Sequence, residues 1–98
     1  MRQAAMERRI RDLQLRIKAA REEVAVLDEQ IEVLAEDAED TRVRWLVSDS
    51  PLAERESIDA HRHLELAKRA AAALRAEIDR CVADRDRLLR ELPAGSRK

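Results

Sequence analysis

Three groups of side chains in this sequence are of types that can do chemistry: His61 and His63 with Cys81, the many carboxylates, and a row of arginines. Imidazole and thiolate would bind zinc, but two histidines spaced by two on a helix point to different faces. The single cysteine lies about five helical turns further on by the usual 3.6 residues per turn, so four ligands cannot converge within one chain. No metal site is expected. Cys81 as a nucleophile would need exposure and a neighbour that stabilises the thiolate. Arg80 and Arg85 are near in sequence, yet Cys81 falls on a core position and reads as a small buried apolar residue.

Carboxylates do general acid–base work only in a desolvated, shaped site, and no pair here is placed in one. Gly95 is the sole glycine, so there is no phosphate-cradling loop. No catalytic residue and no cofactor is expected, and the chain reads as a non-enzyme. The arginine row (Arg55, Arg62, Arg69, Arg90) is the kind of feature that binds nucleic acid, but the net charge is −1 and aromatic residues make up 1%. Without positive field or stacking rings, nucleic-acid binding is not the expected role.

The elements that must carry these groups are set by periodicity. Ile10, Leu13, Ile17, Ala20, Val24, Leu27, Ile31, Leu34, Ala38, Thr41 and Trp45 follow one another in alternating steps of three and four. That is a heptad seam, and it predicts a long helix covered by another helix. Ser48-Asp49-Ser50-Pro51 breaks it with capping residues and a proline suited to a first helical turn. A second seam follows: Ala53, Ser57, Ala60, Leu64, Ala67, Ala71, Leu74, Ile78, Cys81, Arg85, Leu88 and Leu92. Helix 1 is expected over about 3–46, the turn over 47–50, helix 2 over about 51–92, and a loose tail over 93–98. Two long helices with so short a turn lie antiparallel. The fold class is therefore all-α, a single antiparallel two-helix coiled-coil hairpin.

Register follows from arithmetic. If facing seam residues have numbers summing to about 98, large residues meet small ones, as Leu27 meets Ala71 and Ile31 meets Ala67, and the hydroxyls of Thr41 and Ser57 share a layer where they could satisfy each other. Flanking charges then pair Arg16 with Asp84, Arg44 with Glu56, Arg42 with Glu54 and Asp28 with Lys68. Glu23 opposite Glu77 is the misfit.

A two-helix hairpin covers only one side of each helix. Outside the seam, Ala19, Val26 and Val33 repeat at c positions of helix 1; Leu66 and Ala73 hold c positions of helix 2, with Ala70 at g. These residues form one apolar face along a shared edge, suited to a homodimer that closes a four-helix bundle. Val82 and Leu89 make a smaller patch at e positions. Trp45, Leu46, Val47 and Leu52 crowd the hairpin tip, where Trp45 is either a buried plug or an exposed anchor for another protein. On the outermost f rows, Glu22, Glu29 and Glu36 form an acidic ridge, and Arg55, Arg62 and Arg69 a basic one. Steered assembly is one use for such ridges.

The class bounded by these features is narrow. The charged fraction is 42% and the hydrophobic fraction 45%, with one glycine and two prolines, the composition of coiled coils and long helices. The longest apolar run, Ala70 to Leu74, is far short of a membrane span. A charged N-terminal segment and a lone cysteine set a cytoplasmic location as the expectation. The acids near the tip, Asp40 and Asp49, resemble those presented by Gre-type coiled-coil regulators of RNA polymerase, and that resemblance implies a regulatory hairpin entering a larger machine. A mid-chain tryptophan is similar to that of small secreted helical hairpins with a Trp-x-Gly turn, although here the segment is Trp45-Leu46-Val47. Both likenesses are of shape, and neither assigns a family. The expected function is a non-catalytic interaction or scaffold protein, partnered by itself and by another protein.

Overall fold

The computed structural model describes residues 2–93, which form two helices, α1 (Arg2–Ser48) and α2 (Pro51–Glu91), packed as a hairpin. No glycine or proline interrupts either helix after its first turn, so nothing in the backbone opposes continuity. The hairpin divides into two compact units, each holding one segment of each helix. We refer to Met1–Glu23 with Leu74–Lys98 as the end unit and to Val24–Ala73 as the turn unit.

In the end unit the buried side chains are Leu13, Ile17, Ala20 and Leu92. In the turn unit they are Ala38, Thr41, Ala53, Ser57, Ala60, Leu64 and Ala71, with Ile31 and Leu34 packed against Ala38, Ala60 and Leu64. Every seam position from Ile10 to Trp45 and from Ala53 to Leu92 is buried or half-buried. The expected two-seam architecture is therefore the observed one.

The turn is tighter than the sequence suggests. Val47 and Ser48, expected in the loop, complete α1, and the Ser48 hydroxyl donates to the Arg44 carbonyl at 2.8 Å. Asp49 then takes a left-handed conformation (φ 51°), and its N–H still donates to the Trp45 carbonyl at 2.8 Å. A left-handed residue just past a helix end satisfies a carbonyl that would otherwise be orphaned. Ser50 caps α2: its Oγ accepts from the Ala53 N–H at 3.1 Å and its carbonyl from the Glu54 N–H at 3.0 Å. The expected α2 end at 92 moves to Glu91, although the Leu92 N–H still donates to the Leu88 carbonyl. Of the tail expected over 93–98, residues 94–98 lie outside the described residues.

Candidate interaction surface

Ion pairs join α1 to α2 in both units. In the turn unit Arg44 reaches Glu56 at 3.7 Å, as expected. In the end unit Arg16 binds Glu77 through two bonds, from Nε at 2.7 Å and from a terminal nitrogen at 2.6 Å, and approaches Glu23 at 3.8 Å. The expected partner, Asp84, takes Arg87 instead at 3.7 Å. Glu23 and Glu77 are thus reconciled: one guanidinium stands between the two like-charged carboxylates. The planar fork of arginine makes such bidentate contact favourable. Hydrogen bonding to Arg16, with its charge, holds the Glu77 carboxyl below its ordinary range, and the Arg16 guanidinium is raised by the same contacts.

Two further expected cross-pairs give way to contacts within one helix. Arg42 pairs with Glu39 at 2.7 Å rather than with Glu54, and its hydrogen bond and charge lower the Glu39 carboxyl. Lys68 takes Glu65 at 3.6 Å rather than Asp28. Residues three apart on a helix are always neighbours, whereas a cross-helix partner must also be at the right height. Thr41 and Ser57 are both buried, but they do not satisfy each other: the Thr41 hydroxyl donates to the Ala38 carbonyl at 2.9 Å. Arg85 donates to the Gln14 side chain at 2.8 Å and pairs with its neighbour Asp86 at 3.0 Å, so a charge on the seam is met by polar groups.

The residues with reactive side chains are not brought together. His61 Nδ1 bonds the Ser57 carbonyl of its own helix at 2.8 Å, which uses that nitrogen as a donor. Cys81 is a free, half-buried thiol on the seam, less sheltered than expected. Among the described residues, no three His, Cys, Asp or Glu side chains are grouped to hold a metal. Asp40 lies within α1 and Asp49 in the turn, nine residues on, or roughly 13 Å of helical rise. These two acids are therefore too far apart to act on one ligand atom.

What the turn unit does present is apolar surface. Val26, Val33 and Leu66 are 54%, 65% and 55% exposed, and Ala70 and Ala73 are exposed beside them. Val26, Val33 and the edge of Leu34 line an open groove with Glu29 and Gln30. A second groove at the tip is lined by Val43, Val47, Leu52 and Ala53, with the Arg44–Glu56 pair alongside. Val47 and Leu52 are 83% and 66% exposed; Trp45 is half-buried, and so is neither a sealed plug nor a projecting anchor.

The heptad count shows how these patches are related. Val47 and Leu52 hold c positions, in the same rows as Val26 and Val33 and as Leu66 and Ala73, interrupted in each row by one aspartate, Asp40 or Asp59. The tip and the apolar face are thus two parts of one edge. Leu46 (65% exposed) does not belong to it, since it holds a b position on the other side of α1. Sequence reasoning also missed Val43 and Ile58, 45% and 51% exposed. Extending the f and b rows past the seam would have found both. Among the described residues, no helix is long and apolar enough to cross a membrane. No family model matches the chain, and no curated protein or solved structure matches it.

Proposed function

We propose that this protein is a non-catalytic interaction module of the cytoplasm. It associates with a second copy of itself through the Val26, Val33, Leu66, Ala70 and Ala73 face to close a four-helix bundle, and it engages another protein through its tip. The observation that carries this reading is that three large aliphatic side chains on one edge of the turn unit, Val26, Val33 and Leu66, are each more than half exposed, while the neighbouring seam residues Leu27, Ile31 and Leu34 are themselves only half-buried. Aliphatic surface of that kind gains on the order of 25 cal/mol for every Å² removed from water, a gain a thin hairpin can realise only by association.

Sedimentation equilibrium at tens of micromolar tests the assembly. The wild-type protein should weigh twice the chain mass. Val26→Glu with Val33→Glu should weigh a single chain while keeping its helical signal, because both positions are outside the seam. A wild-type protein that stays monomeric across that range overturns the reading. The tip contact is tested separately: Val47→Glu with Leu52→Glu should leave the dimer intact and abolish crosslinking to other proteins in cells. Loss of the dimer in this variant would make the tip part of the self-association surface.

A further inference from the structure

Resting on that reading of self-association, we infer that the two hairpins of the dimer lie in the same direction, tip beside tip, with α1 of each copy against α2 of the other. The apolar edge of the turn unit is bordered on α1 by Glu29 and Glu36 and on α2 by Arg62 and Arg69, all four exposed. Among the described residues, none of the four pairs with another charge of its own chain. In the seam register, where facing residues have numbers summing to about 98 and Arg44 reaches Glu56, Glu29 is close to the height of Arg69 and Glu36 to that of Arg62.

Face-to-face contact of two identical surfaces has a two-fold axis in the plane between them, and such an axis has two simple settings here. If it runs along the helices, α1 of one copy faces α2 of the other at the same height. Glu29 then meets Arg69 and Glu36 meets Arg62, each twice. If it runs across them, α1 faces α1 and the acidic ridges oppose each other, as do the basic ones. Opposite charges across an interface select orientation because like charges brought together are penalised. The apolar rows do not choose, since Val33 finds Leu66 in the first setting and Val26 in the second. The first setting places one like pair together, Asp40 with Asp59, but Arg44, Arg55 and Arg62 are within about a turn of it.

The orientation is read by a distance between copies. A nitroxide on Val47→Cys, in a Cys81→Ala background and with the dimer verified by sedimentation, should report a separation below about 20 Å, since the diagonal of a bundle with neighbours 8–10 Å apart puts the helix axes roughly 11–14 Å apart. A separation on the order of 50 Å, from twice the helical rise between the tip and the centre of the apolar face, overturns the inference and leaves the dimer standing. A monomer in sedimentation overturns both. Charge reversal gives a second measurement. Glu29→Arg with Glu36→Arg should weaken dimerisation at low salt several-fold, and adding Arg62→Glu with Arg69→Glu should restore it. In the crossed arrangement neither step changes affinity, and that insensitivity would overturn the proposal.

Discussion

The end unit and the turn unit are built from the same two helices and the same heptad rule, yet they distribute side-chain volume in opposite ways. The end unit buries Leu13, Ile17 and Leu92 around Ala20. The turn unit buries four alanines, a threonine, a serine and a single leucine, Leu64. Outside the seam the order reverses. Val26, Val33, Val43, Leu46, Val47, Leu52, Ile58 and Leu66 of the turn unit are exposed, against Leu15 and Leu89 of the end unit. In the turn unit the large seam residues Val24, Leu27, Ile31, Leu34 and Trp45 are only half-buried, the fully buried positions are mostly small, and further aliphatic side chains point outward. Periodicity tells where a helix meets its partner; the sizes on and off the seam tell which part of the chain still has surface to cover.

That contrast is broken most directly by cutting large seam residues in the end unit. Ile17→Ala removes a side chain 2% exposed and should cost about 2–5 kcal/mol in urea unfolding followed by circular dichroism. Val33→Ala, in a protein kept dilute enough to be monomeric, should change stability by no more than about 0.5 kcal/mol. Equal losses would mean that Val33 is sheltered within the hairpin itself. The converse experiment adds volume. Ala71 has 0% exposure, and Ala71→Leu should destabilise by about 1–3 kcal/mol or more through overpacking, whereas Ala70→Leu on the neighbouring exposed position should be tolerated.

The seams were legible in the sequence because a period held over many turns outweighs any local preference, and Ala38, Ala60 and Leu64 needed no further information to be placed inside. Ion-pair partners were less legible. A register argument pairs residues at equal height, but arginine is long enough to reach diagonally, as Arg16 does to Glu77, or back along its own helix, as Arg42 does to Glu39. The turn is two residues shorter than the capping residues suggest, because a single left-handed residue, Asp49, ends α1 while Ser50 alone caps α2. The apolar face was found, but its continuation to Val47 and Leu52 was not, because Asp40 and Asp59 interrupt the rows that join them.

At the tip, the effects should be smaller and of opposite sign. Ser50→Ala removes the oxygen that accepts from the Ala53 N–H and should cost about 1 kcal/mol. Asp49→Gly should stabilise by some tenths of a kcal/mol, since a left-handed residue with a Cβ is strained and glycine is not. If the second change destabilised the protein, the Asp49 side chain would have to make a contact that outweighs its backbone strain.

The smallest effect separates the two units by their charges. Glu77 has a carboxyl held below its ordinary value of 4.5 by the Arg16 hydrogen bond and charge, and the pair joins α1 to α2. A depressed folded value means that the unfolded chain binds protons first. The contribution is therefore fully present above pH 4.5 and is lost as the pH falls through the folded value. Glu39 in the turn unit is depressed by Arg42 in the same direction, but both belong to α1, three residues apart. Arg16→Met, which keeps the apolar stem, should return the Glu77 carboxyl toward its ordinary value in a carbon-13 titration and flatten the acid side of the stability profile. Arg42→Met should do the same to Glu39 with less effect on the profile, because a single helix that retains residual structure on unfolding keeps part of that pair in both states. If the two variants flattened the profile equally, joining the helices would add nothing to what an exposed pair already contributes.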